Sequence, residues 1–235
     1  MATRTELDRE LNQLRDMLFR MESLVSEALM RAMDSLKRRD SGLAEDVIRA
    51  DDRVNALRYE VEQFCVDMIA TQQPVARDLR TIMAMMHSAV EMERMGDHAT
   101  GVAKITLAVC SEPLLKPLID LPRMAKVGIE MLHAALRALI NTDAEAAQET
   151  IDRDDEVDDL HDQIFRELIT YMLEDTSTIR RATNLIWASH AVERFADRAT
   201  NIAERALFIT SGQLEDLTSE ATNLPGTSGS GSCEA

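Results

Sequence analysis

Glycine, proline and aromatic residues are scarce in this chain. It has 8 Gly and 5 Pro in 235 residues, and an aromatic share of 3%. Sheets favour aromatic and β-branched residues, and their short strands need turn residues between them. This inventory argues against a sheet and for helix almost throughout. Cys65, Cys110 and Cys233 are far apart and odd in number, with no His cluster beside them. A disulfide framework or a zinc site is therefore not expected, and free thiols in a reducing compartment are. No uninterrupted apolar stretch is long enough to span a bilayer, and residues 1–10 lack the apolar core of a signal peptide. A cytoplasmic location is expected. The sequence also has no P-loop, dinucleotide glycine motif or Ser/His/Asp signature in a usable context.

Apolar residues make up 45% of the chain, and methionine supplies 14 of them. The formal net charge is −16, a field that repels nucleic acid and anionic lipid. No nucleic-acid partner is expected. Leu7, Leu11, Leu14, Leu18, Met21, Val25, Leu29, Ala32 and Leu36 recur at steps of three and four, as one apolar helix face requires. A stop signal follows at Arg39-Asp40-Ser41-Gly42. A second helix is expected over 43–71, with Val54, Leu57, Val61, Phe64 and Met68 inward, and a third over 77–109. Residues 111–117 hold two prolines and read as a linker. Helices are expected again over 118–141, 143–173 and 178–211. Residues 213–235 lack an apolar stripe and read as a disordered tail.

The second half repeats the first. Glu93-Arg94-Met95-Gly96-Asp97-His98-Ala99-Thr100 recurs as Glu193-Arg194-Phe195-Ala196-Asp197-Arg198-Ala199-Thr200. Asp51-Asp52-Arg53-Val54-Asn55 recurs as Asp154-Asp155-Glu156-Val157-Asp158. The distance between the two motifs is three residues greater in the first copy, which places a longer turn around Gln72-Gln73-Pro74. The fold class is thus all-α, with two tandem three-helix bundles over 1–112 and 113–212.

On a helical wheel, Leu79, Ile82, Met83, Met86 and Val90 share a face that continues into Glu93, Asp97 and Gly101. Ile179, Ala182 and Ile186 lead in the same way into Glu193, Asp197 and Asn201. A core stripe is expected to become a carboxylate stripe. Antiparallel packing would bring Asp51 and Asn55 opposite Glu93 and Asp97, and Asp154 and Asp158 opposite Glu193 and Asp197. Oxygen-only clusters suit hard cations such as Mg²⁺, Ca²⁺, Mn²⁺ or iron. Arg94 and Arg194 could equally neutralise these acids on a solvated face.

Glu130 and His133 form one Glu-x-x-His, but a carboxylate-bridged di-iron bundle needs two. His87, His161 and His190 show no consistent spacing, and Trp187 and the methionines read as packing.

Glu-Arg-x-x-Asp-x-Ala-x-x-x-Ala in the last helix of each copy, preceded by Asp-x-x-Val-Asn and Asp-x-x-Val-Asp, resembles the PhoU family of phosphate-uptake regulators. Residues 73–80 and 170–175 carry further likeness, and the resemblance covers about residues 5–212. It implies two three-helix bundles with pseudo-twofold symmetry. It implies a metal, Mg, Mn or an iron cluster, at Asp154, Asp158, Glu193, Asp197 and Asn201, with a weaker site at Asp51, Asn55, Glu93 and Asp97. Gly101 in place of Asn201, and Asn55 in place of Asp158, weaken the first site. It further implies a non-enzymatic regulator that represses the phosphate-starvation response. Its partners would be the phosphate ABC transporter, through its ATPase subunit, and the sensor histidine kinase. Membrane association would be indirect, and a homodimer is expected. The competing expectation is a metal-dependent helical-bundle enzyme built on the same acids.

Overall fold

The structure is a computed structural model and describes residues 4–212; the expected tail over 213–235 lies outside the described residues. Helix α1 (Arg4–Arg38) is followed by α2 (Ser41–Gln72) and α3 (Arg77–Val109). After an irregular segment over 110–119 come α4 (Asp120–Asn141), α5 (Ala144–Asp152), α6 (Asp154–Glu174) and α7 (Ile179–Ser211). A short 3-10 turn, Thr176–Thr178, precedes α7. Among the described residues there is no strand, and no helix is long and apolar enough to cross a membrane.

All nine residues of the α1 stripe are buried. Each Leu, Val or Met among them contributes roughly 1.5–3 kcal/mol of transfer free energy. Arg39 ends α1 in the left-handed region (φ 57°), and the Asp40 side chain then accepts from the Leu43 amide at 3.0 Å, capping α2. The second copy repeats this junction. Thr142 is left-handed (φ 55°), and Asp143 accepts from the Ala146 amide at 3.1 Å. A side-chain cap satisfies an amide that the helix cannot, so both turns are fixed by chemistry local to the sequence.

The duplication is visible in the packing. In α3, Ile82, Met85, Ala89, Met92, Met95, Ala99, Val102 and Ala103 are buried. In α7 the same positions, Ala182, Leu185, Ser189, Val192, Phe195, Ala199, Ile202 and Ala203, are buried too. Thr100 donates to the Asp97 carbonyl at 2.8 Å, and Thr200 to the Asp197 carbonyl at 2.7 Å. The fold is two tandem three-helix bundles with pseudo-twofold symmetry. The most extensive helix pairing in the molecule is between α3 and α7, and α1 also meets α4. The contacts run in opposite directions along the two helices: His87 meets Arg205, Glu91 meets Arg198 and Asn201, and Gly101 lies opposite Ala191. α3 and α7 therefore cross antiparallel.

Four expectations need correction. The helix expected over 143–173 is broken at Arg153 into α5 and α6. The Arg153 guanidinium reaches Glu130 of α4 at 3.0 Å, and Asp154, Asp155 and Glu156 fill the first turn of α6. Acids are favoured at a helix N-terminus, so the run reads as a fresh start. The turn around residues 73–76 is no longer than its counterpart over 175–178; the extra residues of the first copy are taken up in the flanking turns of helix. Leu79 and Met83 are exposed, and Met86 and Val90 only partly buried. The core face of α3 is instead Ile82–Met85–Ala89–Met92. α3 is apolar on several sides because it packs against α1, α2 and α7, so a wheel alone cannot rank those sides. Trp187, expected to pack inside, is 59% exposed.

The segment over 110–119 is tied to both bundles. Arg39 donates to the Glu112 carbonyl at 3.1 Å, and Arg180 pairs with the Glu112 carboxylate. Lys116 is buried and pairs with Glu167 of α6. Cys65 and Cys110 are free thiols, and burial pushes the Cys65 thiol up to about 12.

The packing predicts an asymmetry between neighbouring methionines. Met85→Ala should cost about 2–5 kcal/mol in urea unfolding, whereas Met83→Ala should stay within about 0.5 kcal/mol. Equal costs would restore the face expected from the wheel.

Candidate functional site: two unequal carboxylate clusters

The first cluster joins α2 to α3. Asn55 donates to Asp51 Oδ2 at 3.1 Å across one turn of α2. Asp51, Glu93 and Asp97 lie close enough to act on one another: burial first, then Asp97, pushes both Asp51 and Glu93 above the usual carboxylate range. Gly96 makes room for this approach. A Cβ there would lie 2.9 Å from Asp51 Oδ1, closer than any real contact of this kind. Cations moderate the crowding: Lys104 acts on Asp51, and Arg58 and Arg94 on Glu93. Arg58 also donates to Glu62 at 2.7 Å and stacks 4.0 Å above the Tyr59 ring.

The second cluster joins α6 to α7 and is more acidic. Burial and the neighbouring Asp197, Asp158 and Asp155 push Asp154 up to about 7. Burial and Asp197 push Glu193 up to about 7, against the pull of Arg194. Asp158 is raised by burial and by Asp197. Arg194 donates to Asp197 at 3.0 Å. Asp154 Oδ1 and Glu193 Oε2 are buried and carry no hydrogen bond. His190 Nδ1 lies 3.1 Å from that Glu193 oxygen, but without hydrogen-bond geometry.

The structure thus brings together Asp51, Asn55, Glu93 and Asp97 in one place and Asp154, Asp158, Glu193 and Asp197 in another. Asn201 is placed elsewhere. Its amide donates to Glu91 Oε2 at 3.1 Å, in the seam between α3 and α7. Gly101, its counterpart, also lies in that seam, where a Cβ would stand 4.0 Å from the Ala191 Cβ. The Gly101/Asn201 difference therefore follows the Glu91/Ala191 difference across the pseudo-twofold axis, rather than a difference in cation ligands.

As donor chemistry, the second cluster fits a hard cation: oxygen ligands, raised carboxyls and two unpartnered oxygens. Its arrangement is less complete. Among the described residues, no three His, Cys, Asp or Glu side chains are grouped to hold one ion. Side chains would have to close around a cation for these residues to ligate it together.

Several residues that matter here escaped the sequence reading. Glu91 is buried in the seam at a side-chain exposure of 3%, between Arg94 at 3.3 Å and Arg198 at 3.4 Å. Its signal was a charge where the second copy has Ala191. His161 and His190 had no shared spacing, yet their ring centroids lie 6.2 Å apart at a tilt of 50°, and His161 Nδ1 shares a hydrogen bond with Ser189 Oγ at 2.8 Å. Burial, with His190 next, pushes the His161 imidazole down. Glu130 and His133 point to different partners, Glu130 to Arg153 and His133 to the buried Glu22 of α1, so they do not act as a ligand pair.

Two tandem copies of a helical unit, each carrying its acids at the junction of its last two helices, match a known pattern. A family model described as the PhoU domain matches residues 18–106 and again 121–206. The chain belongs to the PhoU family. It is 37% identical over 209 residues to the phosphate-specific transport system accessory protein PhoU homolog of Aquifex aeolicus, a match covering 89% of this chain and 95% of that one. The crystal structure of PhoU from Pseudomonas aeruginosa superposes with a TM-score of 0.82 at 34% identity, covering 88% of this chain and 99% of that one. The phosphate transport system regulatory protein PhoU from Streptococcus pneumoniae gives a TM-score of 0.82 at 30% identity, with 89% and 99% covered.

The raised carboxyls of the second cluster predict an inverted pH dependence. A carboxyl whose folded pKa lies above its unfolded value binds a proton more tightly when folded. Stability is therefore gained at low pH and lost as pH rises from near 4 to about 7. In chelator, Asp154→Asn with Glu193→Gln should raise the melting temperature at pH 8 and leave it nearly unchanged at pH 4. An equal shift at both pH values would show that the two carboxyls are not crowded in solution.

Proposed function

We propose that this protein is a cytoplasmic, non-enzymatic regulator of phosphate uptake, restraining the phosphate-starvation response when phosphate is plentiful. The observation that carries this reading is the match of both repeats, in order, to the PhoU domain, together with a relative named as an accessory protein of phosphate-specific transport. The partners we infer are the ATPase subunit of the phosphate ABC transporter and the sensor histidine kinase, with any membrane association passing through them. The working form we infer is a homodimer, built from repeat units over 1–112 and 113–212.

The physical case is a rigid helical surface that works by contact. Its net charge of −16 speeds encounter with basic surfaces and rejects acidic ones. The two carboxylate clusters add local charge, and the Ser189 hydroxyl that meets His161 beside the second is buried. A cation, Mg²⁺, Mn²⁺ or iron, is the second element of the proposal. Asp154, Asp158, Glu193 and Asp197 would hold it, with Asp51, Asn55, Glu93 and Asp97 the weaker set. The unpartnered oxygens of Asp154 and Glu193 support it, since bound charge would relieve their crowding and raise stability through linkage.

Two measurements test these readings. A deletion strain grown in high phosphate should transcribe phosphate-starvation genes; continued repression there would overturn the regulatory reading. Added Mn²⁺ or Mg²⁺ should raise the melting temperature of the protein, and Glu193→Gln with Asp197→Asn should remove that rise. An unchanged rise in the double variant would refute the cation assignment.

A further inference from the structure

The two copies of the bundle differ at two positions that supply positive charge, Arg58 and Lys104 in the first and His161 and Glu204 in the second. In the first copy, Arg58 of α2 serves the carboxylates: it acts on Glu93, pairs with Glu62 and lies over the Tyr59 ring. Val54, Leu57 and Val61 of α2 correspond to Val157, Leu160 and Ile164 of α6, all buried. That register places His161 where the first copy has Arg58. His161 is bound to Ser189 and brings no guanidinium. The second cluster therefore has one more carboxylate, Asp158 where the first has Asn55, and no Arg or Lys at this position of α6; among the cluster acids, the buried oxygens without hydrogen bonds are on Asp154 and Glu193.

The surroundings differ as well. Phe165, one turn beyond His161 on α6, is 43% exposed, and Trp187 on α7 is 59% exposed. Trp187 stands edge-on to His190 at 6.3 Å, and the His190 ring is tilted by 50° to that of His161. Exposed rings thus stand on both of the helices that carry the crowded acids, Phe165 on α6 and Trp187 on α7. A hydrated metal ion has no use for such rings, whereas a guanidinium stacks on them while pairing with carboxylates. A guanidinium is also wide enough to bridge carboxylates that are not grouped tightly around one point.

We propose that the groove between α6 and α7 is a docking site for a partner protein, which inserts an arginine beside Asp154, Asp158 and Glu193 in the place that Arg58 fills in the first copy. Phe165 and Trp187 flank the inserted side chain and supply the apolar contact. A divalent cation held by the same carboxylates competes with that arginine, so cation binding and docking exclude each other at this groove. The inference rests on the reading of the protein as a regulator that acts by contact.

The full chain, in chelator, is titrated with a synthetic helical peptide bearing arginine on one face and leucine on the other, and with its citrulline twin. Trp187 is the only tryptophan, so its emission reports on the groove, and calorimetry gives affinity. The arginine peptide should change Trp187 emission and bind at least about tenfold tighter than the neutral twin. His161→Arg, which supplies the guanidinium internally, should abolish that preference and raise the melting temperature. Phe165→Ala, an exposed substitution, should weaken binding severalfold and keeps the test decisive if His161→Arg folds poorly. Equal binding of the two peptides, or unchanged affinity in both variants, would overturn the proposal. In cells, a His161→Arg strain should express starvation genes in high phosphate as the deletion strain does. Derepression in the deletion strain with normal repression in the His161→Arg strain would remove the docking site alone. Repression in both would remove the regulatory reading itself.

Discussion

The antiparallel crossing of α3 and α7 is the constraint from which the rest of the molecule follows. Each of these helices packs inside its own bundle and also against the other, so each is apolar on several sides. Small residues, Ala99 and Ala103 and their counterparts Ala199 and Ala203, are fully buried along them, and short side chains let helices approach closely. Once both are held this way, the side left uncovered carries Glu93 and Asp97 on one helix and Glu193 and Asp197 on the other. The acids lie on the open side because every other side is occupied.

The seam is also where the copies stop being equivalent. A strict twofold would place either two buried glutamates or none about the axis. Here Glu91 is answered by Asn201, Arg94 and Arg198, while Ala191 is answered by Gly101. A buried carboxylate is tolerable only when paired, since removing its partners costs several kcal/mol. That pairing gives the crossing a polar side and a small-residue side, which distinguishes one direction across the axis from the other.

The same drift shapes the clusters. The first copy has Arg58, Asn55 and Lys104 near its acids, and its Asp51 and Glu93 are raised by burial and by Asp97. The second has His161 in place of Arg58 and Asp158 in place of Asn55, and its Asp154 and Glu193 are pushed to about 7. Like charges crowded at a half-buried site without compensation destabilise the fold. A duplicated structural unit thus holds one site with cations from both its helices and one where Arg194 alone pulls against the crowding of Glu193, and more binding energy is available at the second.

Much of this was legible in the sequence because it depends on local rules. The α1 stripe, the breaks near Arg39 and Asn141, the duplication and the pairing of Asp51 with Glu93 and Asp154 with Glu193 follow from helical period and repeated spacing. The break at Arg153 was legible too, in the acids of Asp154-Asp155-Glu156, but the apolar pattern on both sides masked it. What the sequence could not decide is which apolar side of α3 or α7 is covered. Leu79, Met83 and Trp187 are as apolar as Ile82, Met85 and Leu185, and only the position of the neighbouring helices sorts buried from exposed. For the same reason Asn201 reads as a continuation of the Glu193–Asp197 face, while the crossing angle turns it to Glu91. Periodicity fixes which residues share a face of one helix; what that face meets is set by helices distant in the chain, and that is a property of the packed structure alone.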